Sequence, residues 1–266
     1  MSHDGSHKPE APGAAGHAPR AERGGEALPD IDVRERGAER DGQPQVMDRR
    51  LFMQFLAFHV PGPTVEPCLR ALTSALAERR VAAVVYDDLN DPRGIGVLTW
   101  AEDPAHFVTA VRSVLGDVKL GLVQRPELTM LGRTYSTGYE QDLPFWLIER
   151  PKETVLNEAH GWAIWYPLRR AGAFAKLEPR EQGSILKEHG TIGRAYGAKD
   201  FAHDVRLACY GLDQNDNDFV IGLIGKELHP LSHIVQAMRK TRQTSEFIEK
   251  LGPFFVGRVA WRSPGG

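Results

Sequence analysis

Hydrophobic positions fall into short runs whose period alternates between that of a strand and that of a helix. Leu51–Val60 is a dense apolar and aromatic run, stopped by Pro61-Gly62-Pro63, and predicts a strand. Val65, Leu69, Leu72 and Leu76 form a helical stripe over Val65–Arg80. Val81–Tyr86 is short and β-branched, and a turn at Asn90–Gly94 leads to a further strand, Ile95–Trp100. Asp103-Pro104 caps a helix burying Phe107, Val111 and Leu115, and Val118–Leu131 returns extended. The order β-α-β-β-α-β is the ferredoxin-like pattern.

The second half repeats it. Trp162–Tyr166, Asp204–Tyr210, Phe219–Ile224 and Phe254–Trp261 read as strands, and Pro179–Tyr196 and Leu231–Arg242 as helices. A faint echo links the halves: Asn90-Asp91 precedes Gly96, Pro104 and His106, as Asn217-Asp218 precedes Gly222, Pro230 and His233. The expected fold is α+β, two ferredoxin-like halves with antiparallel sheets forming a barrel-like pair. The halves are drawn at 47–155 and 156–266, with Gly132–Gly161 connecting them and able to cover a pocket. Residues 1–46 carry almost no large apolar side chain and read as a disordered tail; His3, His7 and His17 within it are too irregular to suggest a metal site.

Composition narrows the function classes. A net charge of -2 leaves no electrostatic footprint for nucleic acid or an anionic membrane. No apolar run approaches the roughly 18–20 residues needed to span a bilayer, and the N-terminus lacks the apolar core of a secretory signal. Two distant cysteines, Cys68 and Cys209, suit reduced thiols in a cytoplasmic protein.

Two segments carry candidate chemistry. In Pro179–Tyr196, the residues Ile185, His189, Ile192 and Tyr196 share one helical face. On spacing alone His189 reads as a core histidine satisfied by a carbonyl; the alternative is an axial iron ligand, which also requires a neutral imidazole in an apolar wall. Gly190 and Gly193 weaken that helix by about 1 kcal/mol each relative to alanine and suggest close approach by something flat or by another backbone. In Trp165–Arg170, Tyr166 ends a strand beside Arg169 and Arg170, either a surface turn or a phenol next to a seat for carboxylates, with Arg150 or Lys152 contributing. The run Asp213–Asp218 lacks the glycine and glutamate of a calcium loop, and no dinucleotide or Walker loop occurs.

His189-Gly190-x-Ile192-Gly193-Arg194-x-Tyr196, with Tyr166-Pro167-Leu168 before it and Met238-Arg239-Lys240-Thr241 and Pro253–Gly257 after it, resembles the chlorite dismutase/coproheme decarboxylase family. That resemblance, covering roughly 51–258, implies paired ferredoxin-like halves, assembly as a homopentamer, and haem b or iron-coproporphyrin III at His189, the proximal iron ligand. In the decarboxylase branch Tyr166 matches the radical-forming tyrosine, and Arg170 and Lys152 match propionate-binding residues; hydrogen peroxide is the oxidant. Thirteen residues after the histidine, where chlorite-splitting members carry arginine and one decarboxylase branch glutamine, stands Ala202, which resembles the decarboxylase type that uses a distal histidine; His203 and His160 are the candidates for it, and Arg206 could also reach the pocket although nothing in the sequence requires it. Arg242 aligns with the glutamate that polarises the proximal imidazole in the family. The resemblance thus implies a coproheme decarboxylase. A chlorite-decomposing or peroxidase-like enzyme is the alternative, disfavoured by the lack of a cation at Ala202, and a non-enzymatic haem-binding protein is the third reading.

Overall fold

The computed structural model describes residues 28–264; the tail histidines lie outside them. Residues 28–33 are exposed and irregular, and the unit described below is Arg34–Gly266. In chain order its strands are β1 (Glu35–Arg40), β2 (Gln43–Met47), β3 (Phe52–His59), β4 (Ala83–Asp88), β5 (Gly94–Ala101), β6 (Val123–Gln124), β7 (Met130–Arg133), β8 (Trp162–Arg170), β9 (His203–Ala208), β10 (Phe219–Gly225), β11 (Ile248–Leu251) and β12 (Phe255–Arg262). Its helices are α1 (Glu66–Glu78), α2 (Arg112–Leu115), α3 (Arg150–Leu156), α4 (Gly172–Ala175), α5 (Pro179–Ala198), α6 (Leu228–Met238) and α7 (Arg242–Phe247), with π-helical turns leading into α2 and α3.

Strands β3 to β12 form one antiparallel sheet that closes on itself. The path runs β10-β9-β7-β3-β5-β4-β12-β8, and β8 returns to β10 along its length, from Trp162↔Gly225 to Leu168↔Phe219. The other edge of β8 is shared, with β12 beside Trp162–Trp165 and β11 beside Leu168–Arg170. Alternate residues fill the inside: Met53, Phe55, Tyr86, Leu98, Trp165 and Phe255 are almost wholly buried. Phe55 stacks on Trp165 at 5.9 Å and meets Phe255 at 4.7 Å with the rings tilted by 57°. Gly222 makes room for the indole, since a Cβ there would lie 2.5 Å from the Trp165 ring. Trp165→Ala is expected to cost about 3–5 kcal/mol, read as a lower guanidinium midpoint, because a closed barrel cannot collapse onto the void.

The outer faces are covered separately. Leu72, Leu76, Val111 and Val114 of α1, α2 and the adjoining π turn pack on Val85, Ile95 and Val97. In the other half Leu231 and Ile234 of α6 pack with Ile164, Leu223 and Phe219. The paired β-α-β-β-α-β order is therefore observed, as β3-α1-β4-β5-α2-β7 and β8-α5-β9-β10-α6-β12.

Some expectations need correction. The tail does not extend to residue 46, because Glu35–Met47 is a β-hairpin. It is held by polar contacts that hydrophobic patterning does not register: the Ala38 amide donates to the Glu140 carbonyl, Gln45 Nε2 donates to the Gln141 carbonyl, and Glu35 pairs with Arg133. The extended stretch Val118–Leu131 is broken by 3₁₀ turns at Val118–Leu120 and Pro126–Leu128. The last long helix ends at Met238, and Thr241 caps a separate α7. Both cysteines are free thiols.

Candidate functional site

Strand parity decides which side chains share a face with His189. Along β8, Ala163 and Trp165 point into the barrel, while Ile164, Tyr166 and Leu168 point outward. Along β9, Val205 and Leu207 point inward, so Asp204 and Arg206 point outward. The register across β10 then aligns outward rows: Ile164–Leu223–Asp204, Tyr166–Ile221–Arg206 and Leu168–Phe219–Ala208. Tyr166 and Arg206 are thus two strand spacings apart on one surface, roughly 9–10 Å.

Helix α5 stands over this surface without packing closely on it. Of its inner stripe Ile185 is buried, whereas His189, Ile192 and Tyr196 are half-buried. Its ends are tied down, by Arg242 reaching Glu181 at 2.9 Å and by the Tyr196 hydroxyl meeting His233. A Cβ on Gly190 or Gly193 would meet only the end of Arg194 at 3.6 Å or of Met238 at 3.7 Å. Among the described residues no backbone approaches these glycines, so their inner side borders a gap. Asp204 and Arg206 agree: they pair on this surface yet keep 39 % and 40 % of their side-chain area exposed.

His189 Nδ1 lies 3.5 Å from the Thr241 hydroxyl, which donates to the Met238 carbonyl at 2.7 Å. Nε2 is the nitrogen left for a metal. Burial first, and then the positive fields of Arg170 and Arg206, lower the imidazole pKa, so the ring is neutral at pH 7. Arg242 does not face this ring; it pairs with Glu181 and Glu246 at the surface. The group beside the imidazole is a neutral hydroxyl one residue earlier, because Thr241 turns inward to cap α7.

Tyr166 is 8 % exposed, with its ring stacked 4.7 Å from Phe254. Burial, reinforced by the Asp204 charge, raises its pKa far above neutrality and keeps the phenol protonated. The Arg170 guanidinium lies over Phe174 at 4.4 Å and Phe219 at 4.9 Å. Among the described residues its Nε is buried without a hydrogen-bond partner, and such a donor calls for an anion. Arg150 donates to the Asp204 carbonyl at 2.9 Å and carboxylate at 2.8 Å, and Arg206 Nε reaches the other carboxylate oxygen at 3.0 Å.

The structure therefore brings together His189, Tyr166, Arg170 and Arg150, and adds Arg206, Asp204 and Thr241. Three expected residues are placed differently. His203 shares the inward parity of Val205 and Leu207, and it stacks on His160 at the barrel end rather than facing His189. Lys152, two residues and so about 200° around the helix from Arg150, pairs with Glu149 at 3.4 Å. Ala202 lies on the outward face but is packed, 4 % exposed. The cation in line with Tyr166 is Arg206, so alanine at 202 does not leave this surface without one.

A neutral histidine over a surface that carries a buried phenol, an Asp204–Arg206 pair and an arginine nitrogen without a partner among the described residues defines a site that fits a flat, metal-bearing, carboxylate-carrying group. Residues 70–260 match the chlorite dismutase family profile, and the chain belongs to that family. It is 31% identical over 113 residues to a coproheme decarboxylase of Thermus thermophilus, a match covering 41% of this chain and 43% of that protein. The match thus spans less than half of the curated relative. Among solved structures, the chain resembles a haem-binding protein from Thermus thermophilus (TM-score 0.63, 18% identity, covering 79% of this chain and 91% of the other). It also resembles a chlorite dismutase from Candidatus Nitrospira defluvii (TM-score 0.63, 15% identity, covering 81% and 93%). At those identities the likeness is one of fold. Among the described residues no helix is long and apolar enough to cross a membrane.

Proposed function

We propose that this chain binds iron-coproporphyrin III and uses hydrogen peroxide to convert two of its propionate side chains to vinyl groups, giving haem b. For each one, R–CH2–CH2–COO⁻, H2O2 and H⁺ become R–CH=CH2, CO2 and two waters. The observation that carries this reading is the placement of the Tyr166 phenol on the surface opposite His189, with the partnerless Arg170 Nε beside that surface.

Hydrogen peroxide is the oxidant, and the porphyrin iron, when bound, would activate it. His189 Nε2 would hold the iron, on the side of α5 that faces β8 to β10. Arg170 offers a charged N–H already stripped of water to a propionate. Tyr166, kept neutral by burial, holds a transferable hydrogen at Oη. Arg206 is fixed by Asp204, which Arg150 fixes in turn, so a cation stands ready where negative charge develops. Assembly as a homopentamer and a cytoplasmic location belong to the same reading.

Incubation with iron-coproporphyrin III and peroxide is expected to yield a three-propionate intermediate and then haem b, followed by mass spectrometry; neither species appearing overturns the proposal. Arg206 also favours a second reading, chlorite decomposition, since it supplies the cation that Ala202 had seemed to remove. Oxygen evolution from chlorite without porphyrin mass loss would establish that one instead, and binding without either turnover would leave a haem carrier.

Two further outcomes follow from the site. Because the pKa of His189 is lowered, proton competition for its nitrogen begins below the usual histidine value of 6.5. Porphyrin affinity is therefore expected to stay level from pH 8 to 6.5 and to fall only on further acidification, which titration of the Soret band at each pH will show. Arg170→Gln is expected to raise KM for iron-coproporphyrin about 10-fold or more with kcat little changed, the loss of one charged hydrogen bond that acts equally on bound substrate and transition state.

A further inference from the structure

Away from the porphyrin face, three side chains converge at the end of the barrel. His160 closes the connection from α3 to β8, Asp200 sits in the turn after α5 with a positive φ of 56°, and His203 opens β9. The two imidazole rings stack at 4.7 Å with planes 22° apart. Both direct Nε2 at the same Asp200 oxygen, His203 at 2.7 Å and His160 at 3.5 Å. Lys226 holds the other oxygen of that carboxylate, which leaves Oδ1 turned toward the two rings.

We propose that His160, Asp200 and His203 form a binding site for a divalent transition-metal ion of the zinc class, separate from the porphyrin iron. The donor set is two imidazoles and one carboxylate, which suits zinc and its neighbours rather than calcium or magnesium. The spacing suits it too. With bonds of about 2.0–2.1 Å, two donors on one tetrahedral zinc stand roughly 3.3 Å apart, within the range set by the two observed contacts. All three donor atoms lie within 4.8 Å of one another, and the stacked rings would turn toward a common point as an ion replaces the shared proton contacts.

The surroundings prepare the ligands. His160 is 3 % exposed, so packing fixes its ring beside His203 and Asp200. Its Nδ1 is buried, and Nε2 is the nitrogen turned to Asp200. Lys226 orients the carboxylate from behind, as groups outside a metal's own ligands commonly do. His203 and Asp200 remain partly exposed, giving the ion a route in and leaving room for water to complete its coordination.

The inference is independent of the function proposed above, and so is its test. The full-length chain, stripped with EDTA, is titrated with Zn2+ by calorimetry and with Co2+ by visible absorption. The expected result is one equivalent bound, with a cobalt spectrum of the intensity typical of four or five ligands. Asp200→Asn and His203→Ala should each abolish that equivalent while their circular-dichroism melts stay cooperative. The His3/His7/His17→Ala and His229/His233→Ala variants should keep it, and His189→Ala, which addresses the iron site, should keep it as well. Absence of a bound equivalent, or its survival in both Asp200→Asn and His203→Ala, overturns the proposal.

Discussion

His189→Ala is expected to leave a folded protein that no longer shows a ligand-dependent Soret band with iron-coproporphyrin or haem, its affinity at least 100-fold weaker. The magnitude rests on what is removed. Groups that merely orient a metal's ligand change affinity by about 10–100-fold, and the bond from nitrogen to iron is stronger than its support. Little else is lost, because the imidazole is half-buried and its one polar contact, to Thr241, is 3.5 Å long. The hydroxyl of Thr241 keeps its bond to the Met238 carbonyl, so α7 stays capped. The void also faces the gap, so the apo variant should melt within a few degrees of the parent. Added imidazole is expected to restore part of the spectrum by occupying the space left. An unchanged Soret band and affinity in His189→Ala would remove the ligand assignment, whatever the activity. The same titration in Thr241→Glu probes the neutral hydroxyl: a carboxylate there should make the imidazole a stronger donor and shift the iron reduction potential down without changing which residue binds.

The element order was legible because the periods differ so sharply. Leu51–Val60 cannot be read as a helix, nor Pro179–Tyr196 as a strand, and the repeat of six elements implies two similar halves. What the sequence concealed is parity and pairing. His203 and Asp204 are neighbours in the chain, but a strand sends them to opposite faces, and choosing between them needs the inward placement of Val205 and Leu207. Arg206 became part of the site only through its register with Ile221 and Tyr166, a pairing between segments forty residues apart in the chain that no local pattern encodes. Arg150 and Lys152 separated for the helical version of the same reason, two residues being about 200° of rotation. The hairpin Glu35–Met47 was invisible because its contacts are backbone and amide hydrogen bonds to Glu140 and Gln141 rather than apolar burial. Thr241 was hidden by a helix read as continuous through Arg242, when a threonine cap in fact starts a new helix there.

Tyr166→Phe is expected to separate binding from chemistry. The substitution removes one oxygen from a ring that is 8 % exposed and stacked on Phe254, and a phenylalanine ring fills the same space. Stability and porphyrin affinity should therefore stay near those of the parent. Turnover should fall by about 10³-fold, within the 10²–10⁴-fold that a positioned proton-transferring group contributes, and the loss should appear in kcat with KM unchanged. Burial makes the contrast clean: because the phenol is protonated throughout the accessible range, the parent's rate should show no ionisation from Tyr166 between pH 6 and 9. The variant should accumulate unreacted iron-coproporphyrin, with four propionates by mass, rather than a trapped three-propionate species, if the same hydroxyl serves the first removal. Arg206→Leu gives the companion measurement. It should lower kcat while leaving a Soret band on titration, since the guanidinium acts on His189 only through its field and would not ligate the iron. If Tyr166→Phe converts iron-coproporphyrin to haem b at the parent's rate, the phenol has no part in the reaction, and oxidation must reach the propionates by a route that this surface does not contain.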